Sequence, residues 1–264
     1  PMLRDLLPTI SAKPIHTLIH THYHADHAWG AWALMDRGPQ GGAPRIVTTA
    51  AFVDQMQQDL ASHGLIARNN QQVTVPRTWS DVMAPLAVAG VGPNAGNGKR
   101  RQRYVEDWAR ALREMAALKP ARLLPMHGPA LVTDATIQDR LGAHASILET
   151  VAAQTLQGLN AGRRVDQVVA AVKLPPELAA RADAREDYGT VQDMARMVVK
   201  QYGGWWDDIP STWNPAPLAR QAREIAALAG GAVALIERAQ RLAPTEPAVA
   251  CSLADWAWLA APAD

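Results

Sequence analysis

The chain has 264 residues, 48% hydrophobic and 19% charged, an ordinary globular composition that excludes a disordered chain. Lys plus Arg number 26 against 25 Asp plus Glu, and so even a balance excludes a broad electrostatic footprint for nucleic acid or anionic membrane. A single cysteine, Cys251, excludes an intrachain disulfide framework and a Cys-rich zinc site.

In chain order, Ile15-His16-Thr17-Leu18-Ile19 reads as a short buried strand and Arg45 to Thr49 as a second, entered from the Gly/Pro loop at Gly38 to Gly42. A helix is predicted from Tyr104 to Leu118, with Val105, Trp108, Leu112 and Met115 on one face and a stop at Lys119-Pro120. Arg122 to Met126 reads as another short strand running into His127-Gly128-Pro129. Strand, helix and strand in that order predict an α/β layer architecture over residues 1–135. From residue 136 to 264 the signals are all helical. Leu141, His144, Leu148, Val151 and Thr155 mark one helix face. Thr190 with Asp193 forms a capping-box start to another, striped by Val191, Met194, Val198 and Tyr202. Two Ala-rich helices, Leu218 to Leu228 and Ala232 to Leu242, precede a last one opened by Thr245-Glu246-Pro247. Cys251 on that last helix is expected to be a small buried hydrophobe. The longest apolar stretch, Ile225 to Ile236, contains Gly230-Gly231 and falls short of the roughly eighteen residues of a membrane span. No basic region followed by an apolar run opens the chain, so no signal peptide is expected, and a soluble protein of cytoplasm or periplasm is expected.

The chemistry concentrates in one segment. Five of the eight histidines, His16, His20, His22, His24 and His27, fall close together, and Thr21-His22-Tyr23-His24-Ala25-Asp26-His27 directly follows the first strand. At a strand end His22 and His24 share an orientation, because side chains alternate with period two. Asp26 and His27, past the turn, address a neighbouring position, so one loop can serve two adjacent cations. Imidazole and carboxylate without thiolate suit zinc, and also iron or manganese. His127, held between Pro and Gly just past a strand, is a candidate distant ligand. His16 and His20 read as structural residues within the strand, His63 as solvated, and His144 as a packed histidine on an apolar helix face.

Thr21 to His27 resembles the defining motif of the metallo-β-lactamase superfamily, which implies an αββα sandwich with a two-metal site at one edge. Further segments are similar to the alkyl sulfatase branch: Pro93-Asn94-Ala95-Gly96-Asn97, Gln102-Arg103-Tyr104, Leu124 to Pro129, Leu174-Pro175-Pro176, Tyr188-Gly189-Thr190-Val191 and Tyr202-Gly203-Gly204-Trp205-Trp206-Asp207. The expected fold class is therefore α/β, an incomplete metallo-β-lactamase sandwich over 1–135, followed by an all-α alkyl sulfatase dimerisation domain over 136–264. The resemblance implies that His22 and His24 bind one metal and that Asp26, His27 and His127 bind the other, with one or two zinc ions as cofactor. It also implies a Glu for the first metal and a bridging carboxylate, from an internal segment that has no counterpart here. The acids present between His27 and His127 include Asp36, Asp54, Asp59, Asp81, Glu106, Asp107 and Glu114. The family's first strands likewise have no counterpart, so truncation at the N-terminus is expected.

The implied activity is hydrolysis of an alkyl sulfate ester by metal-activated water, with Asp26 also orienting that water. A cationic clamp for the sulfate would come from Arg101 and Arg103, with Asn94 at the start of the preceding turn. Tyr188 and Tyr202 are the helical-half tyrosines placed to assist. A homodimer formed through the helical domain is expected, with no nucleic acid and no membrane span. The alternatives are a superfamily hydrolase of another ester or lactone, and a catalytically impaired dimeric relative with an incomplete metal site.

Overall fold

The computed structural model describes residues 2–20, 28–61, 102–123, 134–186 and 189–261. Two units divide at Asp81 and Val82.

In the first unit, helix α1 spans Met2–Ile10. Strands β1 (Thr17–Ile19) and β2 (Arg45–Val47) pair in parallel, with Thr17 opposite Arg45 and Ile19 opposite Val47. The ladder is extended by Arg45 N–H donating to the His16 carbonyl at 3.0 Å and His20 N–H donating to the Val47 carbonyl at 2.9 Å. The strands are shorter than expected, so His16 and His20 flank β1 instead of lying inside it. Parallel pairing demands a crossover between the strands, and residues 20–44 supply it. That crossover includes a 3-10 turn at Trp29–Leu34, whose Leu34 is buried. It ends in the Gly-rich loop, where Gly38 N–H donates to the Gly42 carbonyl at 2.8 Å. A Cβ on Gly38 would sit 2.5 Å from that carbonyl oxygen, so only glycine closes the loop. Helix α2 (Ala50–Ala61) follows β2 after two threonines.

The described residues of the second unit are mostly helical. Helix α3 (Val105–Ala117) buries Val105, Ala109 and Leu112, an i, i+4, i+7 stripe. Met115, expected on that face, is exposed instead, because the stripe drifts toward Ala109 and Ala116. The helix stops at Leu118, and Lys119 adopts φ 47° ahead of Pro120. Of the strand expected at Arg122–Met126, Leu123 forms an isolated bridge, and 124–126 lie outside the described residues.

The long helix α4 (Asp134–Asn160) is the centre of this unit. α3 packs on one side of it, and α5 (Val165–Ala171) and α6 (Val191–Gly203) pack on others. Ile137, Ala145, Ile147, Leu148, Val151 and Thr155 are all essentially inaccessible, a broad apolar face along the helix. α6 opens with the expected capping box: Asp193 N–H donates to Thr190 Oγ1 at 3.1 Å and Thr190 N–H donates to the Asp193 carboxylate at 3.0 Å.

Three further helices, α7 (Leu218–Ala229), α8 (Ala232–Leu242) and α9 (Pro247–Ala260), pack mainly on one another. Gly230, at φ 90°, ends α7, and Gly231 N–H closes the turn on the Ala226 carbonyl at 2.7 Å. Their core is small: Ala226, Leu235 and Ala257, with Ile225, Leu253 and Trp256 against them. Cys251 is exposed, contrary to expectation, because the buried positions on α9 are taken by Ala250 and Ala257. Among the described residues no helix is long and apolar enough to cross a membrane.

Candidate metal centre

β1 is a short apolar strand that ends at Ile19, and His20 is the last described residue before the histidine motif. Two contacts hold His20. Its N–H is bound to Val47, and its ring stacks on Phe52 with centroids 5.1 Å apart and planes 21° from parallel. Phe52 is the chain's single phenylalanine and is buried in the first turn of α2, where its N–H donates to the Thr49 carbonyl at 3.0 Å. The carboxyl ends of β1 and β2 therefore lie side by side, with His20 bound to Val47 and stacked on the first turn of α2. In open α/β sheets the carboxyl ends of parallel strands are where ligand sites form.

The residues expected to do the chemistry, His22, His24, Asp26, His27, His127, Asn94 and Arg101, lie outside the described residues, as does His63. Among the described residues no group of three or more His, Cys, Asp and Glu is placed to hold a metal ion. The donor set named by the motif is nonetheless chemically suited to one, with three imidazoles and a carboxylate in six positions. Arg103 is described: it is half-buried just ahead of α3 and engaged in an interaction of its own. Its carbonyl accepts from Gln102 Nε2 at 3.0 Å, and the same amide donates to Met197 O at 2.8 Å, tying this segment to α6.

Several of the other titratable groups have local structural roles. His16 is exposed and bonds Thr17 Oγ1 through Nδ1 at 2.8 Å. His144 is half-buried, with Nε2 2.9 Å from the Asp183 carbonyl. Of the acids that could replace the family's missing ligands, three sit on α3 and are engaged there. Asp107 pairs with Arg110 at 2.8 Å, and Glu114 lies 4.0 Å from the same guanidinium. Glu106 accepts from the Tyr202 hydroxyl, and that hydrogen bond, with the Glu106 charge behind it, pushes the Tyr202 pKa up. Tyr202 is thus committed to Glu106. Asp54 is exposed on α2.

Two arrangements had no sequence signal. The His20–Phe52 stack joins residues far apart in the chain. So does an ionic cluster in the second unit, where Arg181 donates to Asp139 at 2.5 and 2.9 Å and to Asp183 at 2.8 and 2.9 Å. Arg181 hydrogen bonds hold the Asp139 carboxyl below the usual carboxylate range. Burial alone would raise Asp183, but its bonds to Arg181 and the nearby charges of Arg181, His144 and Arg140 outweigh that and lower it.

Comparison with known proteins gives two family matches. The model of the metallo-beta-lactamase superfamily matches residues 7–86, and that of alkyl sulfatase dimerisation matches residues 164–264. These are the two parts that the resemblance to the alkyl sulfatase branch of the metallo-β-lactamase superfamily implies. Among curated proteins, a linear primary-alkylsulfatase of a Pseudomonas species is 30% identical over 84% of this chain and 55% of its own length. An alkyl/aryl-sulfatase of Saccharomyces cerevisiae, BDS1, is 25% identical over 57% of this chain and 23% of its own. The chain thus spans about half the length of the first of these alkylsulfatases and less of the second. Among solved structures, the stereoselective inverting sec-alkylsulfatase Pisa1 from Pseudomonas sp. superposes on 98% of this chain and 53% of its own with TM-score 0.82 at 18% identity. A double mutant of that enzyme gives 0.81. These likenesses show the fold: a partial metallo-β-lactamase layer with a small parallel sheet, followed by a helical dimerisation region.

Proposed function

We propose that this chain belongs to a metal-dependent hydrolase that cleaves alkyl sulfate esters and works as a homodimer. The observation that carries the reading is the pairing of the histidine motif, at the carboxyl end of β1, with a helical half that matches alkyl sulfatase dimerisation. Few chemistries other than metal binding call for three imidazoles and a carboxylate in six positions. The relatives are named as alkylsulfatases, which favours a sulfate ester over a lactone or carboxylic ester.

In this reading His22 and His24 hold one metal ion, and Asp26, His27 and His127 hold another, with zinc as the metal. When bound, the metal supplies Lewis-acid activation of water. Asp26 orients that water through its carboxylate. Arg101 and Arg103 clamp the sulfate oxygens, since a guanidinium matches a tetrahedral oxyanion with paired donors, and Asn94 adds an amide donor. Residues 1–135 carry the chemistry and 136–264 the association. The exposed apolar side chains of the C-terminal helices, among them Leu228 at 90% and Val233 at 72%, support a covered face there.

The test is hydrolysis of a medium-chain alkyl sulfate by the purified chain with zinc added, alongside elemental analysis of tightly bound zinc. Sulfate release abolished by His24→Ala supports the reading, with near two zinc ions per chain for the paired site. One ion per chain points to Asp26, His27 and His127 alone. Zinc-free protein without activity overturns the enzyme reading and leaves a dimerising relative.

A further inference from the structure

We propose that the cleft between α4 and α5 is a binding site for a small oxyanion, with the Arg163 guanidinium as its anchor. The site lies within the second unit and stands independently of the metal-site reading.

The cleft has a volume of about 360 Å³ and is lined by Gln154, Gln157, Arg163, Val168, Ala171 and Val172. Arg163 and Arg164 are neighbours in the turn that joins the two helices, yet only one of them is neutralised. Arg164 donates to both oxygens of Asp166, at 2.8 and 2.7 Å. Among the described residues the Arg163 side chain has neither an ion pair nor a hydrogen bond. Its head group is nevertheless placed. One guanidinium nitrogen lies 3.0 Å from where a Cβ of Gly158 would stand, so it rests in the notch that this buried glycine leaves in α4, a spot the Val168 methyls also approach. The Gln154 wall is fixed as well: its amide donates to the Lys173 carbonyl at 2.8 Å and accepts from the Lys173 N–H at 3.0 Å.

No acid lines the cleft, so its charge is that of one guanidinium and the ligand it selects is an anion. The planar fork of arginine pairs with two oxygens of one sulfate or carboxylate group. Gln157 brings an amide to the same wall. The valines decide the size of the ligand. Val168 and Val172 are each only 1% exposed, so they close the floor and offer almost no surface to an alkyl chain. A compact oxyanion fits where a long amphiphile does not. Inorganic sulfate and the carboxylate of a small acid share this chemistry.

The experiment follows the arginine Nε–Hε and backbone amide resonances of the full chain by NMR while sodium sulfate or sodium acetate replaces sodium chloride at constant ionic strength. Saturable movement of Arg163 and Gly158, with the Arg164 Nε–Hε resonance unmoved, is expected. Saturation by sulfate alone assigns the site to the tetrahedral ion, and saturation by acetate alone to a carboxylate; either supports the proposal. Read from the Gly158 amide, Arg163→Gln is expected to weaken binding roughly 10-fold or more, and Arg163→Lys less, with helix content retained in both. His24→Ala is expected to bind like the parent. Shifts that never saturate overturn the proposal, as does parent-like binding by Arg163→Gln. So does loss of binding in His24→Ala, which moves the anion to the metal centre.

Discussion

At the scale of single residues, Arg181 is the most heavily engaged side chain described. It chelates Asp139 and Asp183 together, and Asp183 is almost fully enclosed. Removing the guanidinium strands a buried carboxylate, so Arg181→Met is expected to cost about 2–4 kcal/mol in urea denaturation at neutral pH. The pH dependence follows from the lowered carboxyls. A carboxyl held below its unfolded value contributes stability that is present above that value, about pH 4, and is lost as pH falls through the folded one. The parent is therefore expected to keep a flat melting temperature from pH 7 to about 5 and to lose it below about 4. The gap between parent and Arg181→Met is expected to be widest at pH 7 and to narrow in acid, as scanning calorimetry across that range will show. Tyr202 presents the opposite sign, since its hydroxyl keeps its proton to donate to Glu106 and the Glu106 charge also opposes ionisation.

At the scale of elements, the α4–α5 junction depends on the absence of one side chain. A Cβ on Gly158 would meet the two Val168 methyls at 2.9 and 3.0 Å. Alanine gains about 1 kcal/mol in helix propensity there, but overpacking costs about 1–3. Gly158→Ala is therefore expected to lower the melting temperature, and the double variant Gly158→Ala, Val168→Ala to recover part of the loss. This junction also marks the limit of what sequence patterning reveals. Helices α3, α7 and α8 are legible within a residue or two, and so are the starts of α6 and α9, because each has an apolar stripe, a cap or a Gly/Pro signal of its own. The capping box of α6 and the Gly230 terminus are local chemistry, and local chemistry is readable. The face of α3 was misjudged at Met115, because α4 covers the Ala109 side and a stripe alone does not say where its neighbour lies. The shortness of β1 and the exposure of Cys251 were hidden for the same reason. For the candidate site, the motif named its donors by residue type and spacing. The His20–Phe52 stack was invisible, since nothing in a sequence announces that residues 20 and 52 share a contact.

At the scale of the whole molecule, association and metal loading are the properties to measure. Light scattering on the eluted chain is expected to give twice 28.5 kDa. Leu228→Glu with Val233→Glu, at two exposed apolar positions of the C-terminal helices, is expected to halve that mass while leaving the far-ultraviolet helix signal intact. Exhaustive dialysis against a chelator is expected to abolish sulfate release, with restoration by zinc and no change in mass. The parallel pairing of β1 with β2 also has a temporal side. Thr17 meets Arg45 only after the intervening loop has closed, whereas neighbouring turns of α4 meet at once. In refolding from urea, ellipticity is therefore expected to return first and chelator-competitive zinc uptake in a later, slower phase. Should that order hold, a newly made chain would form its helices before the sheet edge that the proposed metal site needs, and metal supplied in that interval would find no finished site.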